Sequence, residues 1–317
     1  MEEKREKADV IIPVYRPDER LFRLLDRLSR QTRMPRKIII MNTERTYWDN
    51  CGAEGQLELL GLSERCEVHH LSKSEFDHGG TRNLGVSFSE SPYFVMLTQD
   101  AVPADNRLLE NLLAPLENGV AEMSYGRQLA NPDADILEKF TRRYNYGDRS
   151  FLKTEADKER LGIKTYFASN VCAAYNRARF DALGGFPSRA IFNEDMIYVA
   201  RLLKSGGTLA YCADARVLHS HCYTPAQQFH RNFDLAVSQA EHPEIFGDIK
   251  SESEGIRLVR RTARFLKRQG EARVLPRLFA LSAAKYCGYA LGKRYRLLPK
   301  WLRARCTMNR SYWESIG

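Results

Sequence analysis

Several features that assign a chain to a familiar class of protein are missing from this sequence. There are seven cysteines, an odd number, with no C-x-x-C pair and no regular spacing. This pattern argues against a disulfide framework or a zinc site and favours a reducing compartment. The first residues, MEEKREKADVIIPVY, are charged and lead directly into a strand-like run, so we expect no signal peptide and a cytoplasmic protein.

Long apolar runs are missing as well. The longest one near the C-terminus, LFALSAAKYCGYALG, contains Lys285 and two glycines, and it is shorter than the roughly 20 apolar residues that a bilayer span needs. No G-x-G-x-x-G follows the first predicted strand, so dinucleotide binding has no fingerprint. No G-x-x-x-x-G-K-[ST] occurs, which excludes a P-loop.

Positive charge is concentrated in one part of the chain. The 317 residues carry a formal net charge of +9, and the 43% hydrophobic content is typical of a folded protein. Between Gly255 and Arg310 there are 16 Lys or Arg residues and a single acid, Glu271, whereas the rest of the chain is net acidic. The length and this asymmetry indicate two modules, which we assign to residues 1–225 and 226–317.

The first module alternates strand and helix patterns. Four apolar runs, ADVIIPVY, KIIIMN, EVHHLS and YFVMLTQD, predict buried strands, and the leucine spacing in RLFRLLDRLSRQ predicts a helix between the first two. Strands that are apolar on both faces and separated by helices form a mostly parallel sheet flanked by helices. The predicted fold class is therefore an open, Rossmann-like α/β domain, in which ligands bind beyond the carboxyl ends of the strands.

The pattern changes twice farther along the chain. The stretch from Arg127 to Lys164 is polar, aromatic and irregular, which we interpret as an insertion over the binding face. Regular patterns then return, with a strand in SNVCAAYNR, helices in ARFDALGGF and NEDMIYVARLLKSGG, and strands in TLAYCADARVLHSH. After Pro225 the pattern is helical and increasingly basic, so we expect a basic helical C-terminal extension.

Acidic and imidazole side chains mark the ends of several predicted elements. Asp100 ends the fourth strand, where a carboxylate either binds a hard divalent cation or caps the next helix. Glu194 and Asp195 begin a helix, where they either complement its dipole or supply a general base. His219 and His221 share one face of a predicted strand. Either one of them binds a metal while the other supports the site, or they are buried histidines whose hydrogen bonds are satisfied by the backbone.

The loop EFDHGGTRNLG, residues 75–85, has two glycines after an acid and a histidine, with an Arg-Asn pair behind them. Glycines allow a close approach of the backbone to a ligand, and Arg82 supplies a planar cationic fork at the start of a helix. The loop therefore predicts a phosphate or nucleotide contact.

The order and spacing of these motifs resemble one known family. IPVYRPDE, the glycine-bearing loop with RN, LTQD, LGGF followed by NEDM, HSH, and QxxRN in QQFHRNFD occur as they do in the inverting GT-A glycosyltransferases of the large family 2. The resemblance covers roughly Ala8 to Asp234. More narrowly, FDHGGTRN, TQDAVP and HSHCYTPAQQFHRNFD resemble bacterial rhamnosyltransferases that use dTDP-L-rhamnose.

The resemblance implies a role for each matching residue. Asp195 matches the catalytic base, with Glu194 beside it in the ED motif, while Asp100 and His221 match ligands of Mg²⁺ or Mn²⁺. The residues expected to contact the nucleotide sugar are Pro13, Tyr15, Asn42, Glu44, Asp77, His78, Gly80, Arg82, Asn83, Gln99 and Arg231. Among these, Arg82 is expected near the diphosphate, where it would offset the developing charge together with the divalent ion, and Arg231 is expected to contact the diphosphate.

Two motifs depart from the family pattern. The DxD motif is reduced to Thr98-Gln99-Asp100, so a single carboxylate remains for the metal. Asn232 replaces the tryptophan of the QxxRW motif, which is typical of processive polymerases, and this difference favours an enzyme that adds a single sugar.

The implied activity is an inverting, metal-dependent transfer of L-rhamnose from dTDP-L-rhamnose to a hydroxyl of a cell-surface polysaccharide or a lipid-linked glycan precursor. A family relative that uses a UDP-hexose is the alternative. The alternative from a different functional class is a nucleic-acid-binding protein that uses the basic C-terminal region to contact phosphates. No helix-turn-helix, zinc-finger or RNP-like pattern supports that class, and we expect no nucleic-acid partner.

The basic segment GIRLVRRTARFLKRQ has two helical stripes. Arginines 257, 260, 261, 264 and 268 form one, and Ile256, Val259, Ala263 and Leu266 form the other. Such a helix either contacts an anionic membrane, here the inner face of the cell membrane, or packs on the catalytic domain with its basic face in water.

Overall fold

A computed structural model describes residues 7–247 and 251–314 of the chain. The strands within these residues are β1 (Ala8–Tyr15), β2 (Ile38–Thr43), β3 (Cys66–Leu71), β4 (Tyr93–Leu97), β5 (Val102–Pro103), β6 (Met123–Leu129), β7 (Phe151–Lys153), β8 (Cys172–Asn176) and β9 (Leu209–Leu218). The α-helices are α1 (Glu19–Leu28), α2 (Arg45–Asn50), α3 (Ala53–Leu59), α4 (His78–Ser87), α5 (Leu108–Glu117), α6 (Ile136–Asn145), α7 (Lys158–Leu161), α8 (Arg177–Ala182), α9 (Glu194–Lys204), α10 (Pro225–Glu241), α11 (Pro243–Phe246), α12 (Ser251–Arg268), α13 (Leu275–Gly292), α14 (Lys300–Cys306) and α15 (Arg310–Glu314).

All of these strands belong to one mixed sheet with the order β3-β2-β1-β4-β8-β6-β9-β5, and β7 also pairs with β9. β3, β2, β1 and β4 are mutually parallel, and β9 is parallel to β6. β8 lies between β4 and β6 and runs against both of them. Because β5 and β7 also run against β9, six strands share one direction and three oppose it. The mostly parallel α/β sheet predicted from the sequence is confirmed.

Alternate residues of the central strands pack into two different core clusters. In β1, Ile12 contributes to the cluster that contains the four buried leucines of α1, whereas Ile11 contributes to the opposite cluster with Tyr175 and Tyr198. The predicted α1 begins after Asp18, whose side chain accepts from the Arg20 backbone N–H as an N-cap. Runs that are apolar at every position therefore form strands covered on both faces by helices.

The stretch 127–164 differs from the irregular insertion expected from the sequence. It contains the ten-residue helix α6 and the short strand β7, which extends the sheet by pairing with β9. Helix α6 is capped by Asp135 and buries Leu137, but its other positions are largely charged or aromatic, so its apolar stripe is too narrow to stand out in the sequence. The prediction of irregular structure was wrong for this segment.

The C-terminal helices pack closely on the rest of the chain. Glycines of α13 face α10: a Cβ atom at Gly288 would lie 2.2 Å from the carbonyl oxygen of Phe229, and one at Gly292 would lie 2.4 Å from that of Phe233. The C-terminal part of the apolar stripe of α12 packs inward, with Leu266 in one cluster with Leu137 of α6 and Ala263 against it, whereas Ile256 is exposed. No helix among the described residues is long and apolar enough to cross a bilayer.

The boundary that we predict between residues 225 and 226 falls at the first turn of α10. Phe233 and Val237 of this helix share a core cluster with Ile191, which precedes the boundary, and with Tyr312, which follows it. The division into two domains stays a prediction.

The close contact between α10 and α13 can be tested at Gly288. We expect Gly288→Ala to lower the free energy of unfolding by about 1–3 kcal/mol, because the added methyl group overpacks the Phe229 backbone. Thermal unfolding followed by circular dichroism measures the effect. The matched control is Gly255→Ala in α12, where nothing lies within 4 Å of the added Cβ. In that open position the substitution should stabilise by up to about 1 kcal/mol. Equal effects of both substitutions would contradict the tight helix contact.

Candidate active site

An aspartate and two histidines meet at the carboxyl edge of the sheet. Asp100 lies just beyond β4, and His219 and His221 lie just beyond β9, which runs in the same direction. His219 Nε2 is 3.5 Å from Asp100 Oδ1, and His221 Nε2 is 3.4 Å from Asp100 Oδ2. One ligand atom from each residue lies within 4.8 Å of the others, so the three residues form a candidate metal site. The structure brings together the two predicted ligands, Asp100 and His221, and adds His219.

The orientation of His219 is set by Gln128 on β6. Its Nδ1 lies 3.0 Å from Gln128 Oε1, and Arg142, which can only donate, also contacts this oxygen. The Gln128 atom is therefore an acceptor, so His219 Nδ1 carries the hydrogen and the Nε2 lone pair faces Asp100. Burial lowers the pKa of His219 to about 3 and also lowers the pKa of His221. Both imidazoles are neutral at pH 7, the form that binds a metal.

The acidic pair at the start of α9 is divided between the interior and the cleft. Glu194 is 7% exposed, and its Oε1 lies 3.4 Å from Arg82 Nη1 and accepts from Asn170 Nδ2 at 3.1 Å. Asp195 is partly exposed, and its carboxylate accepts from the backbone N–H groups of Asn170 at 3.1 Å and of Met196 at 2.8 Å. Glu194 is thus satisfied inside the protein, while Asp195 reaches the surface.

Different partners move the pKa values of the two acids in opposite directions. Burial and the adjacent Glu194 charge raise the pKa of Asp195 to about 7. Burial also acts to raise the pKa of Glu194, but Arg82, His78 and the Asn170 amide outweigh it and lower that pKa. At neutral pH the pair therefore holds its charge on Glu194, and Asp195 is poised to exchange a proton.

Asn170 is the residue that connects both carboxylates, and the sequence reasoning did not find it. Its Oδ1 accepts from the Tyr175 hydroxyl at 2.6 Å, which fixes the amide so that Nδ2 faces Glu194. Asn170 lies just before β8, where the backbone N–H of Thr98 donates to the Val171 carbonyl oxygen at 3.3 Å. The acidic pair is therefore tied to the same sheet edge as Asp100.

The glycine-bearing loop forms the start of α4. Asp77 is its N-cap, and the Oδ1 atom accepts from the Gly80 backbone N–H. A Cβ atom at Gly79 would lie 1.9 Å from the Pro187 carbonyl oxygen, and one at Gly80 would lie 3.0 Å from Asp77 Oδ1. Gly79 allows the helix to pack against a neighbouring segment of the protein, so its close backbone approach has a partner other than a phosphate.

The polar side chains behind the glycines also have protein partners. Arg82, 7% exposed, donates to the His78 carbonyl oxygen at 2.7 Å and faces Glu194. Asn83 accepts from the Phe186 backbone N–H at 3.0 Å and donates to its carbonyl oxygen at 2.9 Å. Burial lowers the pKa of His78, although Glu194 opposes this change. Contacts of Asp77, His78, Gly80, Arg82 and Asn83 with a nucleotide sugar stay predictions.

An aromatic and cationic group lies at the carboxyl end of β1. Tyr15 and Tyr47 meet edge to face at 5.6 Å, and the Arg16 guanidinium lies 5.2 and 5.1 Å from their ring centres. Gln99 fixes this end of the strand by accepting from the Tyr15 backbone N–H at 2.8 Å and donating to its carbonyl oxygen at 3.1 Å. Tyr15 and Gln99 were predicted from the sequence, whereas Arg16 and Tyr47 were not.

The other residues predicted near the base and ribose lie within β1 and at the carboxyl end of β2. Asn42 is fully buried and contacts His70 Nδ1 at 3.0 Å and the Glu44 carbonyl oxygen at 3.2 Å. Glu44 has a left-handed backbone, with φ of 68°, and its side chain accepts from the Lys73 backbone N–H. Pro13 is a half-buried residue of β1 that pairs with β2.

Arg231 extends from α10 between two aromatic rings. Its guanidinium carbon lies 4.6 Å from the ring centre of Phe192 and 5.6 Å from that of Tyr223, which is stacked on His221 at 5.1 Å. Within residues 7–247 and 251–314 the structure gives Arg231 no carboxylate partner. The rings hold a cationic fork beside the metal-ligand cluster, where its donors are available to an anion.

The fold is that of a GT-A type glycosyltransferase, and the candidate metal site, the cationic fork and the acidic pair lie beyond the carboxyl ends of its parallel strands. Residues 9–184 match the family described as Glycosyl transferase family 2. The chain belongs to this family.

Relatives match the chain over nearly its full length. It is 36% identical to the O-antigen chain rhamnosyltransferase RfbN of Salmonella typhimurium, over 98% of this chain and 97% of that one. It is 37% identical to the O-antigen chain rhamnosyltransferase WbaN of Salmonella anatum, over 97% and 96%. The galactofuranosyltransferase GlfT1 of Mycobacterium tuberculosis is 31% identical over 66% of this chain and 68% of its own length.

Solved structures share the fold at low sequence identity. The mannosyltransferase PcManGT of Pyrobaculum calidifontis, in complex with GDP-Man and Mn²⁺, has a TM-score of 0.55 at 15% identity and covers 98% of this chain and 86% of its own. TarS residues 1–349 of S. aureus, in complex with UDP-GlcNAc, has a TM-score of 0.50 at 14% identity and covers 92% and 91%.

The charge of Glu194 beside Asp195 predicts a shift in the pH dependence of turnover. A general base at Asp195 works only when ionised, so turnover would rise with pH through about 7. Glu194→Gln removes the neighbouring charge that raises the pKa of Asp195, so this rise should move to lower pH. Steady-state rates from pH 5 to 9 measure the shift. The control, Glu159→Gln at an exposed position of α7, should keep the wild-type profile. An unchanged profile for Glu194→Gln would refute the coupling.

The metal-ligand cluster predicts a specific loss of Mn²⁺ binding. His221→Ala removes one imidazole ligand and should weaken the binding of Mn²⁺ by roughly 10–100-fold, as measured by calorimetry on the protein alone. His242→Ala replaces a histidine that pairs with Glu244 outside the cluster, so binding should be retained. Equal affinities of the two variants would exclude His221 as a ligand.

Proposed function

We propose that this protein is an inverting rhamnosyltransferase that moves L-rhamnose from dTDP-L-rhamnose to a hydroxyl of a cell-surface polysaccharide or a lipid-linked glycan precursor. The observation that carries this proposal is the near-full-length likeness to two O-antigen chain rhamnosyltransferases. The geometry of the acidic pair supports the inverting mechanism, because a single accessible carboxylate, Asp195, has a pKa raised to about 7 by burial and by Glu194.

Asp195 is the general base of the proposed reaction. The acceptor oxygen attacks the anomeric carbon from the face opposite the diphosphate and loses its proton to an Asp195 carboxylate oxygen. A glycosidic bond forms, the bond from the anomeric carbon to the phosphate oxygen breaks, and the nucleotide diphosphate leaves with that electron pair. The configuration inverts, so β-L-rhamnose gives an α-linked product.

Asn170 and Glu194 keep Asp195 in position for this step. The backbone N–H of Asn170 holds one carboxylate oxygen, and the internal ion pair with Arg82 keeps the Glu194 charge beside the base. That charge favours protonation of Asp195 as the acceptor hydroxyl loses its hydrogen. Arg82 thus supports the base from behind the site.

Asp100, His219 and His221 are the residues that would hold the divalent cation. One carboxylate and two neutral imidazoles fit Mn²⁺ better than Mg²⁺, since Mg²⁺ prefers oxygen ligands alone. When bound, the ion would supply positive charge to the leaving diphosphate. Arg231, held beside His221 by Tyr223, would contact the same diphosphate.

Tyr15, Arg16, Tyr47 and Gln99 would form the nucleobase side of the donor site. Their rings and guanidinium are partly exposed at the end of β1, and the faces of aromatic rings and guanidinium groups stack on bases. The carboxyl end of the neighbouring strand β2, with Asn42 and Glu44, would lie toward the ribose.

A donor with a different sugar, such as a UDP-hexose, is the second candidate. It is favoured by the partial likeness to a galactofuranosyltransferase, which is 31% identical over two thirds of the chain. The fold and the catalytic residues would be the same, and only the contacts to the base and the sugar would differ.

A lipid-linked acceptor is held at a membrane. The proposal therefore also locates the protein in the cytoplasm, peripherally on the inner face of the cell membrane, where such an acceptor meets a soluble nucleotide sugar.

Thermal shift with a panel of nucleotide sugars and Mn²⁺ tests the donor. We expect dTDP-L-rhamnose to raise the Tm more than UDP-glucose, UDP-galactose or GDP-mannose, because a ligand stabilises the state that binds it. A larger shift with a UDP-hexose would favour the second candidate, and no shift with any donor would contradict both.

Asp195→Asn tests the base. The variant should keep the donor-induced rise in Tm but lose roughly 10²-fold or more in turnover, because the amide cannot accept the proton. Asp214→Asn, an exposed substitution on β9, should leave turnover unchanged. If Asp195→Asn turns over like the wild type, another residue is the base.

A further inference from the structure

Helix α12 presents an arginine face with few acidic partners. Five arginines of this helix, Arg257, Arg260, Arg261, Arg264 and Arg268, are exposed. Among the described side chains only Arg257 has a carboxylate partner, Glu254, at 2.7 Å. The inward face of the same helix packs on α6 and α13 through Leu266 and its neighbours, so the arginine face is turned away from the core.

Two shallow cavities lie along this arginine face, and both combine guanidinium groups with apolar surface. One, of about 320 Å³, is lined by Phe140, Arg261, Arg264, Phe265, Arg268 and Gln269. The other, of about 420 Å³, is lined by Ile256, Arg257, Arg260 and Arg264. Arg264 lines both, so the two cavities adjoin at this side chain. Their chemistry suits a phosphate group attached to hydrocarbon.

Helix α13, the neighbour of α12, has an apolar outward face. Its inner face is fixed on α10 by Gly288 and Gly292. On the opposite side Phe279 is 54% exposed and Tyr286 is 65% exposed. The exposed residues Ala280, Ala283 and Cys287 continue that face at helical spacing. A soluble helix usually turns polar residues outward, so this face lacks, within the part of the chain that the structure describes, the partner that its composition calls for.

Exposed apolar side chains are frequent throughout the C-terminal helices. Of thirteen large apolar residues exposed in the described chain, six lie in this region: Ile256, Phe279, Tyr286, Leu297, Trp301 and Met308. Aromatic and aliphatic side chains beside many cations are the composition of surfaces that contact the headgroup layer of a bilayer.

We propose that α12 and α13 dock the enzyme on an anionic lipid bilayer, with the arginines of α12 binding lipid phosphates and the outward face of α13 entering the interface. A soluble polyanion would neutralise the arginines but would leave Phe279 and Tyr286 in water, whereas a bilayer matches both. The inference extends the proposed function by identifying the surface that contacts the membrane. It rests on the proposed function only in that a lipid-linked acceptor gives membrane docking a purpose.

Co-sedimentation of the full chain with vesicles tests the docking. The vesicles are phosphatidylcholine alone or phosphatidylcholine with 30% phosphatidylglycerol, in the absence of sugar donor and acceptor. We expect binding to the anionic vesicles that falls as salt increases, and little binding to the neutral ones. Binding that is the same for both vesicle types, or binding to duplex DNA but not to vesicles, would overturn the proposal.

The triple variant Arg260→Gln, Arg264→Gln, Arg268→Gln locates the surface. Each arginine near an anionic membrane contributes about a fivefold factor, so vesicle affinity should fall on the order of 100-fold. The matched control, Arg23→Gln, Arg30→Gln, Arg107→Gln, removes the same charge from exposed positions elsewhere and should bind within about twofold of wild type. Equal losses in both variants would show that net charge, not this face, attracts the protein.

Transfer to a water-soluble acceptor analogue separates this inference from the proposed function. The α12 variant should keep wild-type turnover with such an acceptor, since the arginines lie outside the catalytic cleft. Vesicle binding without any transferase activity would refute the function and retain the docking surface. Transferase activity without vesicle binding would refute the docking surface and retain the proposed function.

Discussion

The candidate active site depends on how the protein separates the pKa values of two adjacent carboxylates, so that one is ionised and the other exchanges a proton near neutral pH. Glu194 and Asp195 are neighbours at the start of α9, and burial disfavours ionisation of both. Arg82 and the Asn170 amide stabilise the charge of Glu194, and that fixed charge then raises the pKa of Asp195. The pKa of Asp195, the proposed base, is therefore set near neutrality by a buried neighbouring carboxylate.

The reversal of β8 is what brings this pair to the metal-ligand cluster. Parallel strands deliver their carboxyl ends to one edge, which accounts for Asp100 after β4 and for both histidines after β9. β8 runs the other way, so it is the residue before this strand, Asn170, that reaches the same edge. The antiparallel strand thus brings the residue at its start, Asn170, to an edge where the parallel strands end, and the backbone N–H and side-chain amide of this residue donate to the acidic pair.

The sequence predicted the sheet, the order of its elements and the residues with distinctive chemistry, because apolar runs and titratable groups leave recognisable patterns. It did not predict Asn170 or Gln128, since an amide has no periodicity and its role depends on which groups the fold places around it. Arg82 illustrates the same limit. Its position was found, but its closest acid, Glu194, lies 112 residues away along the chain and becomes a neighbour only in the folded protein.

The tight contact between α10 and α13 joins two surfaces that would otherwise be separate. Arg231 lies on α10 two residues after Phe229, whose carbonyl oxygen occupies the space that a side chain at Gly288 would need. No compressible layer of side chains separates the two helices at this point. The position of α13 therefore constrains the position of Arg231, because the backbones of the two helices are in direct contact here. The two helices thus form a rigid connection between the outer face of the C-terminal region and the cleft.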